Sequence, residues 1–146
     1  MYLEDYGVNV ADLEGAGAAG GLAGCLAAAG ATLESGFDLV AEEVDLLPHM
    51  ERADFVVTGE GFLDAESFDG KVVGGVLALA GELGVPALVI AGELFDGERL
   101  AALAGELTSA SVTVVSLVER YGEDRSRRKT LGCIHEVVTR YLAAAR

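Results

Sequence analysis

The architecture follows from residues 54–91, which read DFVVTGEGFLDAESFDGKVVGGVLALAGELGVPALVIA. Two short apolar runs, 55–58 and 87–91, flank a segment whose apolar residues recur at helical spacing over 72–83. A glycine and then a proline follow that segment, which is the usual order of residues at the end of a helix. The stretch therefore predicts a strand, a helix and a second strand, with a loop over 59–70.

The pattern of strand and helix continues toward the carboxyl terminus. It predicts a short helix over 98–106, a third strand over 112–115 and a final amphipathic helix over 127–145. None of the three apolar strands alternates with polar residues, which indicates a parallel sheet covered on both faces. The predicted fold class is α/β, and such sheets bind their ligands beyond the carboxyl ends of the strands.

The segment before the sheet is helical and rich in small residues. Residues 15–33, GAGAAGGLAGCLAAAGATL, carry no charge, and only three of them are leucines. Insertion into lipid is driven by large apolar side chains, so this composition predicts a close-packed helix and no transmembrane segment. Apolar residues from Leu22 to Leu33 line one face of that helix. Further helical sequence over 37–52 is interrupted near Pro48.

The overall charge limits the classes of partner. The chain has 146 residues with 24 acids and 10 Lys or Arg, which gives a net charge of −14. A surface this negative repels phosphate backbones and anionic lipid, so no nucleic-acid or membrane partner is expected. Two distant cysteines provide no disulfide framework, and the acidic start lacks the features of a signal peptide. These features predict a cytoplasmic protein.

The first candidate site is the glycine-rich segment 15–21, GAGAAGG. It satisfies the GxGxxG pattern of dinucleotide-binding folds, but that pattern is informative only directly after a strand, and residues 9–14 make a poor strand. The Rossmann interpretation is therefore rejected. Two alternatives stay open: the amides of Gly17, Gly20 and Gly21 hold a phosphate or carboxylate, or the glycines serve close packing.

The second candidate site is the segment 58–71, at the end of the first predicted strand. It contains four acids and a lysine, namely Glu60, Asp64, Glu66, Asp69 and Lys71. A solvated acidic loop would explain the charges but not their position at the carboxyl edge of a buried strand. There, a lysine and helix amides bind an anion, while carboxylates hold Mg²⁺ or accept a hydroxyl proton. Phosphoryl transfer requires this set of groups.

Several blocks of the sequence resemble the bacterial type-1 glycerate kinases. They are GAGAAGG, then ADFVVTGEGFLDAESFDGK over 53–71, then Val85-Pro86 before an apolar strand, and the tail VSLVERYG over 115–122. Their order and spacing agree with that family over nearly the whole chain. The resemblance implies a two-part cytoplasmic enzyme that phosphorylates D-glycerate with ATP and Mg²⁺, and it favours the 2-position.

The resemblance also implies a division into domains. The family combines a flavodoxin-like domain, built from both ends of the chain, with a second domain inserted into it. Residues 1–45 would close the inserted domain, and 46–146 would form the carboxyl-terminal part of the flavodoxin-like domain. Family members are much longer, so the expected partner is the missing N-terminal half of the same enzyme, and the isolated chain is expected to lack activity.

Roles for individual residues follow from the resemblance combined with the chemistry of the site. Asp64 would orient or deprotonate the glycerate hydroxyl or hold Mg²⁺, Glu60 would be a second metal ligand, and Lys71 would neutralise phosphate or the glycerate carboxylate. Six residues would contact substrate or phosphate: Gly17, Gly20, Gly21, Thr58, Gly59 and Gly61. Phe62 and Glu66 depart from the residues common in the family. The alternative function is a non-catalytic α/β module that binds a small anion or a partner.

Overall fold

The structure, a computed structural model, describes residues 7–68, 71–107 and 110–144. The chain divides into two compact units, Met1–Val40 and Ala41–Arg146. The boundary predicted after residue 45 concerns the domains of a longer enzyme and stays a prediction.

The first unit contains helix α1 (Ala18–Ala28). The helix ends in a Schellman motif, in which Ala31 N–H donates to the Leu26 carbonyl at 2.9 Å and Gly30 adopts a φ of 101°. The predicted continuation of this helix to Leu33 was wrong, because α1 ends at Ala28, five residues earlier, and the left-handed Gly30 follows it. The expected close packing is seen at Gly24, the buried residue of α1, whereas Leu22 and Leu26 are more than half exposed.

Two short helices lead to the sheet. Helix α2 spans Gly36–Glu43, and helix α3 spans Leu46–Met50 with Asp45 at its N-cap position. The interruption predicted near Pro48 therefore lies just before α3, which accommodates the proline in its first turn, where amides lack helical partners. Met50 of α3 is buried in the core of the second unit.

The second unit is built on a parallel sheet of three strands in the order β1-β2-β3. The strands are β1 (Val56–Leu63), β2 (Ala87–Leu94) and β3 (Val112–Ser116). A 3₁₀ helix (Ala65–Phe68) and α4 (Val72–Leu83) connect the first two strands, and α5 (Gly97–Leu107) connects the last two. After β3 come α6 (Leu117–Tyr121), α7 (Glu123–Arg128) and α8 (Thr130–Ala144).

Successive residues of β2 enter two different cores. Ala87, Val89 and Ala91 pack with residues of α4 and α5 on one face of the sheet, here called the α4 face. Leu88 and Ile90 pack with residues of α6 and α8 on the other face, here called the α8 face. Because side chains alternate along a strand, a strand that is apolar at every position must be covered on both sides. The predicted α/β fold with a parallel sheet is confirmed, and the sheet is covered on both faces at β2, whereas Val57 of β1 is 46% exposed.

The first two strands are longer than predicted. The loop expected over 59–70 was wrong for residues 59–63, which continue β1 and pair with β2 as far as Leu63 opposite Leu94. Their backbone groups are thus used by the neighbouring strand, and Phe95 N–H donates to the Leu63 carbonyl at 3.0 Å. Strand β3 ends at Ser116, which pairs with Ala91, so β1 and β2 extend beyond it as a two-stranded ribbon.

The carboxyl-terminal helix is interrupted where one helix was predicted over 127–145. Lys129 has a φ of −131° and ends α7, and α8 begins at Thr130. Helix α6 was not predicted. No helix in the described ranges is long and apolar enough to cross a membrane.

Candidate functional site

The first feature at the carboxyl edge of the sheet is a cavity of about 560 Å³ on the α8 face. Gly59, Gly61 and Gly92 of the neighbouring strands β1 and β2 contribute to its lining. Because these residues have no side chains, the sheet surface stays open between them. The other lining residues come from the strands, α6 and α8: Val57, Thr58, Glu60, Ile90, Leu117, Thr130 and Ile134. We call this space the glycine cavity.

Two of these glycines are required by the close approach of the strands. A Cβ atom on Gly59 would lie 1.9 Å from the Ile90 carbonyl oxygen, and one on Gly92 would lie 2.4 Å from the Gly61 carbonyl oxygen. Both distances are far below contact, and the atoms that would be struck are backbone. A Cβ on Gly61, by contrast, has no atom within 4 Å. Gly61 thus lines the glycine cavity without being needed for strand pairing.

Glu60 combines partial burial with an unpaired oxygen. Its Oε1 atom is buried and has no hydrogen-bond partner in the described part of the chain. A buried acceptor without a donor costs about 1–3 kcal/mol, and more when it is charged. The side chain is therefore suited to a ligand that brings a cation or a donor to this edge of the sheet.

Asp64 is held by the 3₁₀ helix that follows β1. Its Oδ1 atom accepts hydrogen bonds from the backbone N–H of Ser67 at 3.1 Å and from the Ser67 hydroxyl at 3.2 Å. The Asp64 N–H in turn lies 3.2 Å from Ser67 Oγ, and Ser67 is only 1% exposed. The carboxylate is thus fixed through one oxygen, while Oδ2 has no partner among the described residues. The sequence pattern did not reveal Ser67 as the residue that orients it.

Asp64 lines a second, smaller cavity of about 230 Å³, here called the Asp64 cavity. Its wall contains Arg99, which sequence reasoning missed, because the arginine lies 35 positions from Asp64 and belongs to no local motif. The shared edge of a parallel sheet brings the two together. The full lining is Asp64, Ala65, Glu66, Phe95, Asp96, Arg99 and Leu100. Leu100 belongs to the core of the α4 face, so the two cavities lie on different faces of the sheet.

Lys71 occupies the N-cap position of α4. Its Nζ atom lies 3.7 Å from Glu66 Oε2, and the two side chains are 54% and 85% exposed. An ion pair this exposed contributes at most about 1 kcal/mol, so a stronger anion can displace the glutamate. Lys71 lines neither cavity, but its partner Glu66 lines the Asp64 cavity.

The glycines of the first unit do not form a regular helix N-terminus. Ala19, Gly20 and Gly21 all have positive φ values, and the Gly21 amide donates to the Gly17 carbonyl at 3.1 Å. That amide is therefore engaged within its own segment. The binding role of Gly17, Gly20 and Gly21 stays a prediction.

The acidic residues do not form a complete metal cage. Within the ranges that the structure describes, no three His, Cys, Asp or Glu side chains are grouped to hold a metal ion. Glu60 and Asp64 line different cavities. They are only four positions apart in the chain, which limits the distance between their Cα atoms to about 14 Å. Asp69, another acid singled out in this segment, lies outside the described residues.

Comparison with known proteins gives a consistent set of relatives. An uncharacterized protein of Mycobacterium bovis is 32% identical over 134 residues, which cover 92% of this chain and 35% of that protein. The glycerate kinase of Halalkalibacterium halodurans is 44% identical over 95 residues, covering 64% of this chain and 25% of that enzyme. The glycerate 2-kinase of Escherichia coli is 43% identical over 90 residues, covering 61% of this chain and 24% of that enzyme. No solved structure matches the chain at a significant level.

The match to a family extends over nearly the whole chain. The chain spans about a third or less of the length of the curated relatives it matches. The sequence model of the glycerate kinase family matches residues 1–134, which include both glycine-rich segments and all three strands. This confirms the resemblance found in the sequence blocks. The chain belongs to the glycerate kinase family.

Proposed function

We propose that this chain supplies part of the active site of an ATP-dependent D-glycerate kinase, namely the part at the carboxyl edge of the parallel sheet. The observation that carries the proposal is the carboxylate of Asp64, which is fixed through Oδ1 and has no partner at Oδ2 in the described ranges. Family membership supports the reaction, and the Escherichia coli relative, which is named a glycerate 2-kinase, supports the 2-hydroxyl as acceptor. The proposal includes a cytoplasmic location and the N-terminal half of the enzyme as the partner of this chain.

Asp64 would act on the acceptor hydroxyl. In the proposed step, the hydroxyl oxygen of glycerate bonds to the terminal phosphorus of ATP while the bond from that phosphorus to the ADP oxygen breaks. Asp64 Oδ2 accepts the proton that the hydroxyl loses, since Oδ1 is already used by Ser67. A positioned base of this kind contributes about 10²- to 10⁴-fold to a rate.

The glycine cavity would receive the phosphate donor. Its volume of about 560 Å³ lies within the roughly 300–1,000 Å³ of sites for medium-sized ligands. The backbone of Thr58, Gly59 and Gly61 borders it, and a surface without side chains lets phosphate groups approach the main chain closely. Asp64 is three residues beyond Gly61, so their Cα atoms are at most about 11 Å apart.

The donor set at this edge fits Mg²⁺. This ion is usually bound through one or two carboxylates together with substrate phosphates and water, so a protein cage of three acids is not required. Glu60 has a buried oxygen without a donor, and it would hold the ion, with Asp64 as the alternative ligand. When bound, Mg²⁺ neutralises negative charge on the phosphates of the donor.

The proposal is tested by incubating this chain, combined with its proposed N-terminal half, with ATP, Mg²⁺ and D-glycerate. Phosphorus NMR of the product distinguishes 2-phosphoglycerate from 3-phosphoglycerate, and we expect the 2-phosphate. ADP formation that does not depend on glycerate would contradict the proposal. Binding of ATP or glycerate without any turnover would instead favour the non-catalytic module.

Lys71 gives a second test of the same site. We expect Lys71→Gln to raise KM for ATP by about tenfold, the effect of losing one charge-assisted contact to phosphate. The control is Arg140→Gln, because Arg140 is also an exposed cation but lies on α8 ten residues beyond Thr130 of the glycine cavity. Steady-state kinetics at varied ATP measure both variants. An equal change in KM for ATP in the two variants would show that Lys71 does not contact the phosphate groups of ATP.

A further inference from the structure

The wall of the Asp64 cavity contains an arginine, Arg99. Arg99 lies in the first turn of α5 and is exposed. Its guanidinium forms no ion pair or hydrogen bond with the residues that the structure describes. The backbone N–H of Arg99 donates to Asp96 Oδ1 at 3.3 Å, which anchors the first turn of the helix beside the cavity. The main chain of Arg99 is therefore positioned while its side chain is available.

The size of this cavity suits a small acid. Its volume of about 230 Å³ is less than half that of the glycine cavity and lies below the roughly 300–1,000 Å³ of sites for drug-sized ligands. A three-carbon hydroxy acid, which has seven non-hydrogen atoms, is small enough for such a volume. The position of Asp64 in the wall places a free carboxylate oxygen beside whatever occupies it.

The charges around the cavity restrict where an anion can bind. Asp64, Glu66 and Asp96 are acidic, and they repel a carboxylate. Glu66 is partly neutralised by Lys71 at 3.7 Å, and Asp96 Oδ1 accepts the Arg99 amide. Arg99 is then the cation in the lining that can receive the carboxylate of a ligand, and its planar guanidinium can do so with two parallel hydrogen bonds.

We infer that Arg99 binds the carboxylate of the acceptor hydroxy acid and so presents the acceptor hydroxyl to Asp64. This inference rests on the proposed function, and it identifies the Asp64 cavity as the acceptor subsite. Arg99 is a specificity-determining residue in this arrangement, since it distinguishes a hydroxy acid from an uncharged polyol of the same length.

The test compares two ligands that differ in the carboxylate. D-glycerate and glycerol are titrated calorimetrically into the wild-type protein, Arg99→Gln and Arg99→Lys. We expect the wild type to bind D-glycerate and to discriminate against glycerol. Arg99→Gln should weaken D-glycerate binding by about 10- to 100-fold, because one charge-assisted contact is lost, and should remove the discrimination. Arg99→Lys should keep part of the discrimination between D-glycerate and glycerol.

The matched control is Arg128→Gln, which removes another exposed arginine, one that pairs with Asp124 at 2.8 Å on α7. Circular dichroism melts confirm that the variants fold. Unchanged D-glycerate binding in Arg99→Gln, or no binding by the wild type, would overturn the inference. Wild-type binding that depends on Arg99, without phosphorylation by this chain combined with its proposed N-terminal half, would leave the acceptor subsite in place and overturn the proposed kinase function instead.

Discussion

Asp64→Asn is expected to lower turnover by about 10²- to 10⁴-fold in the enzyme that combines this chain with its proposed N-terminal half. An amide cannot accept the hydroxyl proton, whereas its carbonyl oxygen can still accept the Ser67 N–H bond now made to Oδ1. The fold at the end of β1 should therefore survive the change. Coupled measurement of ADP release gives turnover, and a thermal melt gives stability.

The control for this prediction is Asp124→Asn. Asp124 is an exposed carboxylate on α7 that pairs with Arg128, so it shares the charge of Asp64 but not its position. We expect wild-type turnover in this variant. If Asp64→Asn turns over as fast as the wild type, Asp64 is not the base, and the assignment of the site fails. A melting temperature that falls together with turnover would point to a structural role through Ser67.

Gly59→Ala is expected to destabilise the sheet by about 3 kcal/mol or more. The added methyl group would lie 1.9 Å from the carbonyl oxygen of Ile90, with which Gly59 is paired. Because that oxygen belongs to the backbone of the central strand, the clash is relieved only by separating β1 from β2. At roughly 3–4 °C per kcal/mol, the melting temperature of the chain should fall by about 10 °C.

Gly61→Ala is the matched control, two residues farther along the same strand. Its methyl group would meet no atom within 4 Å, so we expect a change in stability within about 0.5 kcal/mol. Both substitutions are measured by circular dichroism melts of the isolated chain. Similar melting temperatures for the two variants would show that the strands do not approach at Gly59 as described.

Much of the fold could be read from local sequence patterns. Apolar runs predicted the three strands, and Gly84 ended α4 where expected, with a φ of 67°. The ends of elements were less predictable. The GEGFL segment contains two glycines and a glutamate, which are unusual in strands, and only its pairing with β2 makes it continue β1 to Leu63. The break at Lys129 likewise interrupts a pattern that is helical on both sides.

The candidate site was predicted in part. The cluster of acids after the first strand was recognised because charge at the carboxyl edge of a buried strand is informative. The sequence did not predict that Glu60 and Asp64 line two different cavities, because the surroundings of each side chain depend on which helices cover each face of the sheet. The role of Ser67 in fixing Asp64 was also missed, since serine is common in loops and signals nothing by its identity.

The amino-acid sequence was sufficient for the α/β class, the parallel sheet and the family, because these depend on hydrophobic periodicity and on motifs of neighbouring residues. The tertiary structure was needed for the glycine cavity and for the placement of Asp64 and Arg99 in the wall of one cavity. Both arise from strand register and from a crossover helix, which bring together residues that are distant along the chain. Such proximity is created by packing across the sheet, and no local pattern in the sequence encodes it.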